Sequence, residues 1–176
     1  MMELEEGQII NKVANSGLIT LDLEDYAPKG ENVLYDLKQN LFMDLILREK
    51  DFRDFIKTHD WSFYSNKNIA IICSEEVLIP TWAYMLLITK LEPFARKMVI
   101  GNIEKLEEIL LLEALERLDI EQFRDAKVVV KGCSKGEISI AAYAKITELL
   151  MPVAQSIMFG EPCSTVPLYK RSKGVN

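Results

Sequence analysis

The chain opens its readable pattern with period-two alternation. Ile19, Leu21 and Leu23 fall on one side of Leu18–Leu23, and Thr20 and Asp22 on the other. Val33, Tyr35 and Leu37 alternate with Asp36 in the same way. Such alternation predicts half-buried strands. The link between them, DYAPKGEN, is rich in turn residues, so the simplest reading is an N-terminal antiparallel strand pair. Before it, Leu4, Ile9, Ile10, Val13 and Ala14 follow an irregular helical stripe that stops near Gly17.

The pattern then changes period. Phe42, Leu45, Ile46, Phe52, Phe55 and Ile56 follow helical spacing, with Arg48, Glu49, Lys50, Arg53, Asp54 and Lys57 opposite them. This predicts an amphipathic surface helix ending near His59. Three strand–helix units follow. Ile69–Cys73 is an apolar, β-branched run, too short for a helix, that reads as a strand covered on both faces. Pro80 opens a helix to Leu91, where its missing N–H is tolerated. Lys97–Ile100 is a strand, and Asn102 a fitting cap for a helix over Ile103–Leu118. A strand over 127–131 precedes Gly132–Cys133, and Ser139 caps a last long helix that Pro152 should kink or divide. Strand–helix alternation implies parallel strands with right-handed crossovers. The expected architecture is one α/β domain over residues 1–176, a mostly parallel sheet with helices packed on it. The tail from about residue 161, with two prolines and a basic end, reads as irregular. No internal sequence repeat and no low-complexity segment is visible.

Composition narrows the function classes. Of 176 residues, 49% are hydrophobic and 27% charged, which is ordinary for a globular domain. The net charge of −6 argues against a nucleic-acid surface, which would show a basic stripe, and against anionic membranes. The acidic start MMELEEG lacks a signal pattern. The most apolar stretch, Ile138–Phe159, is broken by Lys145 and Glu148. A cytoplasmic location is therefore expected. Three cysteines, an odd number, argue against a disulfide framework there.

The sequence holds no Gly-rich dinucleotide fingerprint, no P-loop, no GxSxG, no CxxC and no HExxH. One histidine excludes mechanisms that need two. What remains is a scattered donor set, His59, Cys73, Cys133 and Cys163. Three thiolates and an imidazole complete a tetrahedral zinc site, or suit iron and iron–sulfur ligation, if they meet in space. Cys73 beside Ile72 also fits simple packing. Cys133 and Cys163 sit in the polar or proline-rich loops KGCSKG and GEPCST, where a thiol can be reactive. His59 at a helix end also fits a plain dipole interaction. Topology opposes the set: Cys73 and Cys133 belong at the carboxyl edge of a parallel sheet, His59 and Cys163 at the other, about 20 Å away. A return of the tail at Pro152, or a second subunit, would be needed. The helix over 103–118 carries Ile109, Leu110, Leu111 and Leu112 around most of its circumference, which predicts a homodimer through this helix, with burial within the chain as the rival reading.

The segments NKVANSGLITLDLED, FIKTHDWS, VLIPTWAYMLL, VVVKGCS and SIMFGEPCSTVPLYK resemble an uncharacterised family of Bacteroidetes, domain of unknown function 2480. The resemblance covers almost the whole chain and carries over no catalytic residue. The resemblance brings with it a gene setting, since members of that family often lie near genes of the sulfur-mobilisation pathway. The resemblance thus implies an accessory role near iron–sulfur cluster assembly, with its assembly proteins as partners, or thiolate metal binding. Two other readings stand beside it. One is a small enzyme using Cys163 or Cys133 with His59 as activator. The other is a partner-binding module without chemistry.

Overall fold

The computed structural model describes residues 18–27, 29–132 and 138–172. The N-terminal helix expected near residues 4–14 lies outside them. The described residues form strands β1 (Leu18–Asp22), β2 (Asn32–Asp36), β3 (Asn68–Ile72), β4 (Lys97–Ile100), β5 (Lys127–Lys131), β6 (Ser156–Glu161) and β7 (Ser164–Lys170). The helices are α1 (Glu49–Thr58), α2 (Thr81–Leu91), α3 (Ile103–Glu116) and α4 (Ile140–Leu150). No helix among the described residues is long and apolar enough to cross a membrane. The chain makes two compact units, one over Pro28–Ile109 and one from the residues up to Ala27 with those from Leu110 onward.

The Pro28–Ile109 unit is built on three parallel strands in the order β2-β3-β4. Ile69, Ala70 and Ile71 of the central strand are fully buried, as a strand covered on both faces requires. Tyr35, Leu37, Phe52, Ile56, Leu87 and Leu91 close the core around them. The other unit has the order β1-β5-β6-β7, with β1, β5 and β6 parallel and β7 antiparallel at the edge. Val128, Val129 and Val130 take the central place there, and Leu21, Leu115, Phe123, Ile146 and Leu150 are in its core.

The α/β class and the parallel strands agree with the sequence, but the N-terminal antiparallel pair does not form. β1 pairs in parallel with β5, and β2 in parallel with β3. Alternation reports a half-buried strand at a sheet edge, and both strands are edges; it does not name the neighbour. Phe42–Leu47 is no part of α1, which begins at Glu49. α4 ends at Leu150, so Pro152 follows the helix and kinks nothing. Inside the segment read as an irregular tail, β7 pairs with β6 from Ser164 to Lys170. Leu111 of α3 is buried and Ile109, Leu110 and Leu112 are half-buried, so that helix presents no exposed apolar row.

The two units repeat one plan, which only scattered residue identities mark. In each, a strand ends on an aspartate that caps a 3-10 turn. Asp36 Oδ1 accepts from the Lys38 amide at 2.9 Å, and Asp22 Oδ1 from the Glu24 amide at 3.0 Å. After the next helix, Asp60 and Asp119 cap further 3-10 turns. Asn66 and Asp125 then hold equivalent left-handed conformations, with φ 59° and 56°. Their amides donate to Phe94 and Val153 carbonyls, both at 2.9 Å. The Arg96 amide donates to Lys67 and the Gln155 amide to Ala126, both at 2.8 Å. At one constant offset, Asp60 to Gly101 corresponds to Asp119 to Gly160. Tyr84 and Tyr143, Leu91 and Leu150, Pro93 and Pro152, and Ala95 and Ala154 are retained pairs. Ile79 and Ile138, Ala83 and Ala142, and Gly101 and Gly160 are retained too, while at other buried places only the class of residue is kept, as in Ile69 and Val128 or Tyr64 and Phe123. One copy is inserted between β1 and α3 of the other, which further hides the repeat.

Candidate functional site

In parallel sheets the carboxyl ends of the strands carry the loops that bind ligands. In the Pro28–Ile109 unit, β2 and β3 end on Asp36 and Ile72, and their loops are clipped together. Asp36 Oδ1, which caps the Lys38 turn, also accepts from the Ser74 amide at 3.0 Å. Burial pushes the Asp36 carboxyl up, but hydrogen bonds from Ser74 and the Lys38 amide outweigh it and leave it below the usual carboxylate range. Lys38 forms an ion pair with Glu75, whose hydrogen bond raises the ammonium above its ordinary value. These bonds fix the loop after β3 against the segment after β2.

That segment ends in a short apolar hairpin. The Phe42 amide donates to the Ile46 carbonyl at 2.8 Å, and the Leu45 amide to the Phe42 carbonyl at 3.1 Å. Met43 and Asp44 at the tip have φ 54° and 58°. Two successive positive φ values favour Asn or Gly. A side chain such as Met43 costs about 1–2 kcal/mol there. Leu47 is buried and Leu41 half-buried against the core, anchoring both ends. Between them Met43 is 74% exposed, Leu45 71% and Ile46 57%. The Arg48 guanidinium lies 3.7 Å over the Phe42 ring. In the clipped loop Ile79 is buried and Val77 half-buried, while Leu78 is 93% exposed. Two neighbouring strand ends thus hold large apolar side chains in water.

The predicted donors are placed as follows. His59 follows α1, and its ring packs 4.7 Å from Phe55 and 4.6 Å from Trp61 between centroids. It is a half-buried member of an aromatic group that includes Tyr64. Cys73 follows the other end of β3, half-buried against the core. It lies beside Tyr84, whose hydroxyl is raised by burial and then by the thiol. The two ends of the five-residue strand β3 lie about 13 Å apart, so His59 and Cys73 are not brought together. Cys163 is exposed in the turn between β6 and β7, in the other unit. Cys133 lies outside the described residues. Among the described residues, no three His, Cys, Asp or Glu side chains gather to hold a metal ion. The described donors of either unit do not make the four-donor set.

The apolar hairpin escapes a reading by period because Phe42, Leu45 and Ile46 match helical spacing. A signal is present all the same. Leu41, Phe42, Met43, Leu45, Ile46 and Leu47 are too many apolar residues for one helical stripe.

Neither curated proteins nor solved structures give a match to this chain. A family model described as a protein of unknown function, DUF2480, matches residues 7–171. That span is nearly the whole sequence, and the chain therefore belongs to the DUF2480 family.

Proposed function

We propose that the chain is an accessory protein that works by docking a partner at the Phe42–Ile46 hairpin and the Leu78 loop. The observation that carries this reading is the exposed hairpin tip, with Met43 in a left-handed conformation it does not favour. Exposed apolar side chains gathered on costly backbone fit a binding surface better than a folding element. The double substitution Leu45→Ser with Ile46→Ser tests it. Because both side chains face water, unfolding free energy in urea should change by less than about 0.5 kcal/mol. The amount of specific partner retained from the native host at natural expression level should fall steeply. A stability loss well above that limit, with partner recovery unchanged, would make the hairpin a structural element instead.

A second reading, thiolate chemistry near iron–sulfur assembly, is favoured by the exposed Cys163 at a hairpin turn. A thiol so placed is open to a metal, a cluster or a sulfur donor supplied with Cys133, Cys73 and His59 from another subunit or partner. Ligand thiols must lose their protons, so affinity should fall as pH drops. Anaerobic purification followed by iron, zinc and sulfide analysis checks this. Uptake should disappear in Cys163→Ser or Cys133→Ser while the fold persists. Wild-type protein that takes up neither metal nor sulfide removes this reading.

A further inference from the structure

We infer that the occupant of the hairpin surface is a basic amphipathic helix of another protein. This rests on the docking reading above and adds the chemistry of the partner.

The charges of the two clipped segments decide the sign. Asp36, Asp44, Glu75 and Glu76 stand against Lys38 and Arg48. Lys38 is engaged by Glu75, and Arg48 by Asp51 and the Phe42 ring. The Lys38–Glu75 pair cancels within the surface and Arg48 is answered by Asp51 beside it, so Asp36, Asp44 and Glu76 leave the surface acidic. The whole chain carries −6, so its field draws a cationic partner from a distance. The same sign repels the phosphates of nucleic acid and anionic lipid.

The backbone decides the shape. A partner strand would need free N–H and C=O groups, but the hairpin pairs Phe42 N–H with the Ile46 carbonyl internally. What it offers is side chains: Met43, Leu45, Ile46 and, from the clipped loop, Leu78. An amphipathic helix recognises side chains in this way, through anchors at i, i+3 or i+4, and i+7. Methionine at the tip suits such a surface, because its unbranched thioether adapts to a new neighbour.

Fluorescence anisotropy on the full chain with three labelled synthetic peptides tests the inference. The probes are a Leu/Lys amphipathic helix of about five turns, its Leu/Glu counterpart, and a Leu/Lys peptide of scrambled order. The Leu/Lys helix should bind saturably. Leu45→Ser with Ile46→Ser should weaken it at least about tenfold. Asp44→Asn with Glu76→Gln should weaken it several-fold at low salt and much less at high salt. Equal binding of the scrambled peptide, binding indifferent to these variants, or no saturable binding overturns the inference. Leu/Glu binding that is as tight and still lost in the serine variant overturns the basic partner but leaves the docking reading standing. Self-association of the wild type, abolished by the serine variant, assigns the surface to a second copy and likewise overturns it.

Discussion

Alanine at Leu91, and separately at Leu150, is expected to lower the unfolding free energy by about 2–5 kcal/mol. The two side chains hold the same place in the two units: each is the last residue of its helix and is fully buried. Each backbone carbonyl also accepts the amide two residues past a proline, Ala95 at 2.7 Å and Ala154 at 2.8 Å. These bonds turn the chain from helix into the next strand. Shortening the side chain leaves them in place, so the loss is one of transfer and cavity, which denaturant unfolding measures. Because helix, turn and strand pairing match, the two losses should be similar. A cost under about 1 kcal/mol at one position and several at the other would mean that the matching backbone does not carry matching packing.

The second large effect concerns Asn68, the fully buried first residue of β3. Its Nδ2 donates to Asn32 Oδ1 at 3.0 Å, and Asn32 Nδ2 donates to Glu107 Oε1 at 3.0 Å. The carboxylate sets the direction of the relay, since it can only accept. The Asn68 Oδ1 ends the relay with no partner among the described residues. Asn68→Asp keeps the shape and changes only the end group. Ionised, the introduced carboxylate sets a buried charge against Asn32 Oδ1, at a cost of about 3–5 kcal/mol. Protonated, its O–H donates where Nδ2 did. Burial therefore raises the folded pKa of the introduced carboxyl above its unfolded value of about 4. The penalty is absent below the unfolded pKa, grows as pH rises, and is complete above the folded pKa. Relative to wild type at each pH, the variant should be nearly normal at about pH 4 and most destabilised at about pH 8. A penalty independent of pH would count against this account of the relay.

Much of the fold can be read from local pattern. Apolar runs place β4 and β5, and Pro80 and Ser139 mark the starts of α2 and α4. Pairing cannot be read in this way. Ile19, Leu21 and Leu23 show that one face of β1 is buried, but a partner more than a hundred residues away leaves no local mark. The tail misleads for a related reason. Pro167 suggests irregularity, yet it stands in an edge strand, where a missing N–H is tolerated. The repeat escapes because packing constrains size and polarity more than identity, so Val128 is buried in one unit where Ile69 is buried in the other. For the site, strand order already sets His59 and Cys73 at opposite ends of β3, but it misplaces Cys163, which follows β6 at the carboxyl end of the parallel strands of the other unit. The apolar hairpin is hidden by a coincidence of spacing, since Phe42, Leu45 and Ile46 suit a helix stripe as well as a hairpin.

The docking surface is tested most directly by photo-crosslinking from position 45 in the native host at natural expression. A photoreactive residue in place of Leu45 should give one dominant protein adduct of defined mass. The same residue at Lys57, an exposed position on α1, should not give it. Absence of any adduct from position 45, or an identical set from both positions, would contradict the assignment of the hairpin as the docking surface.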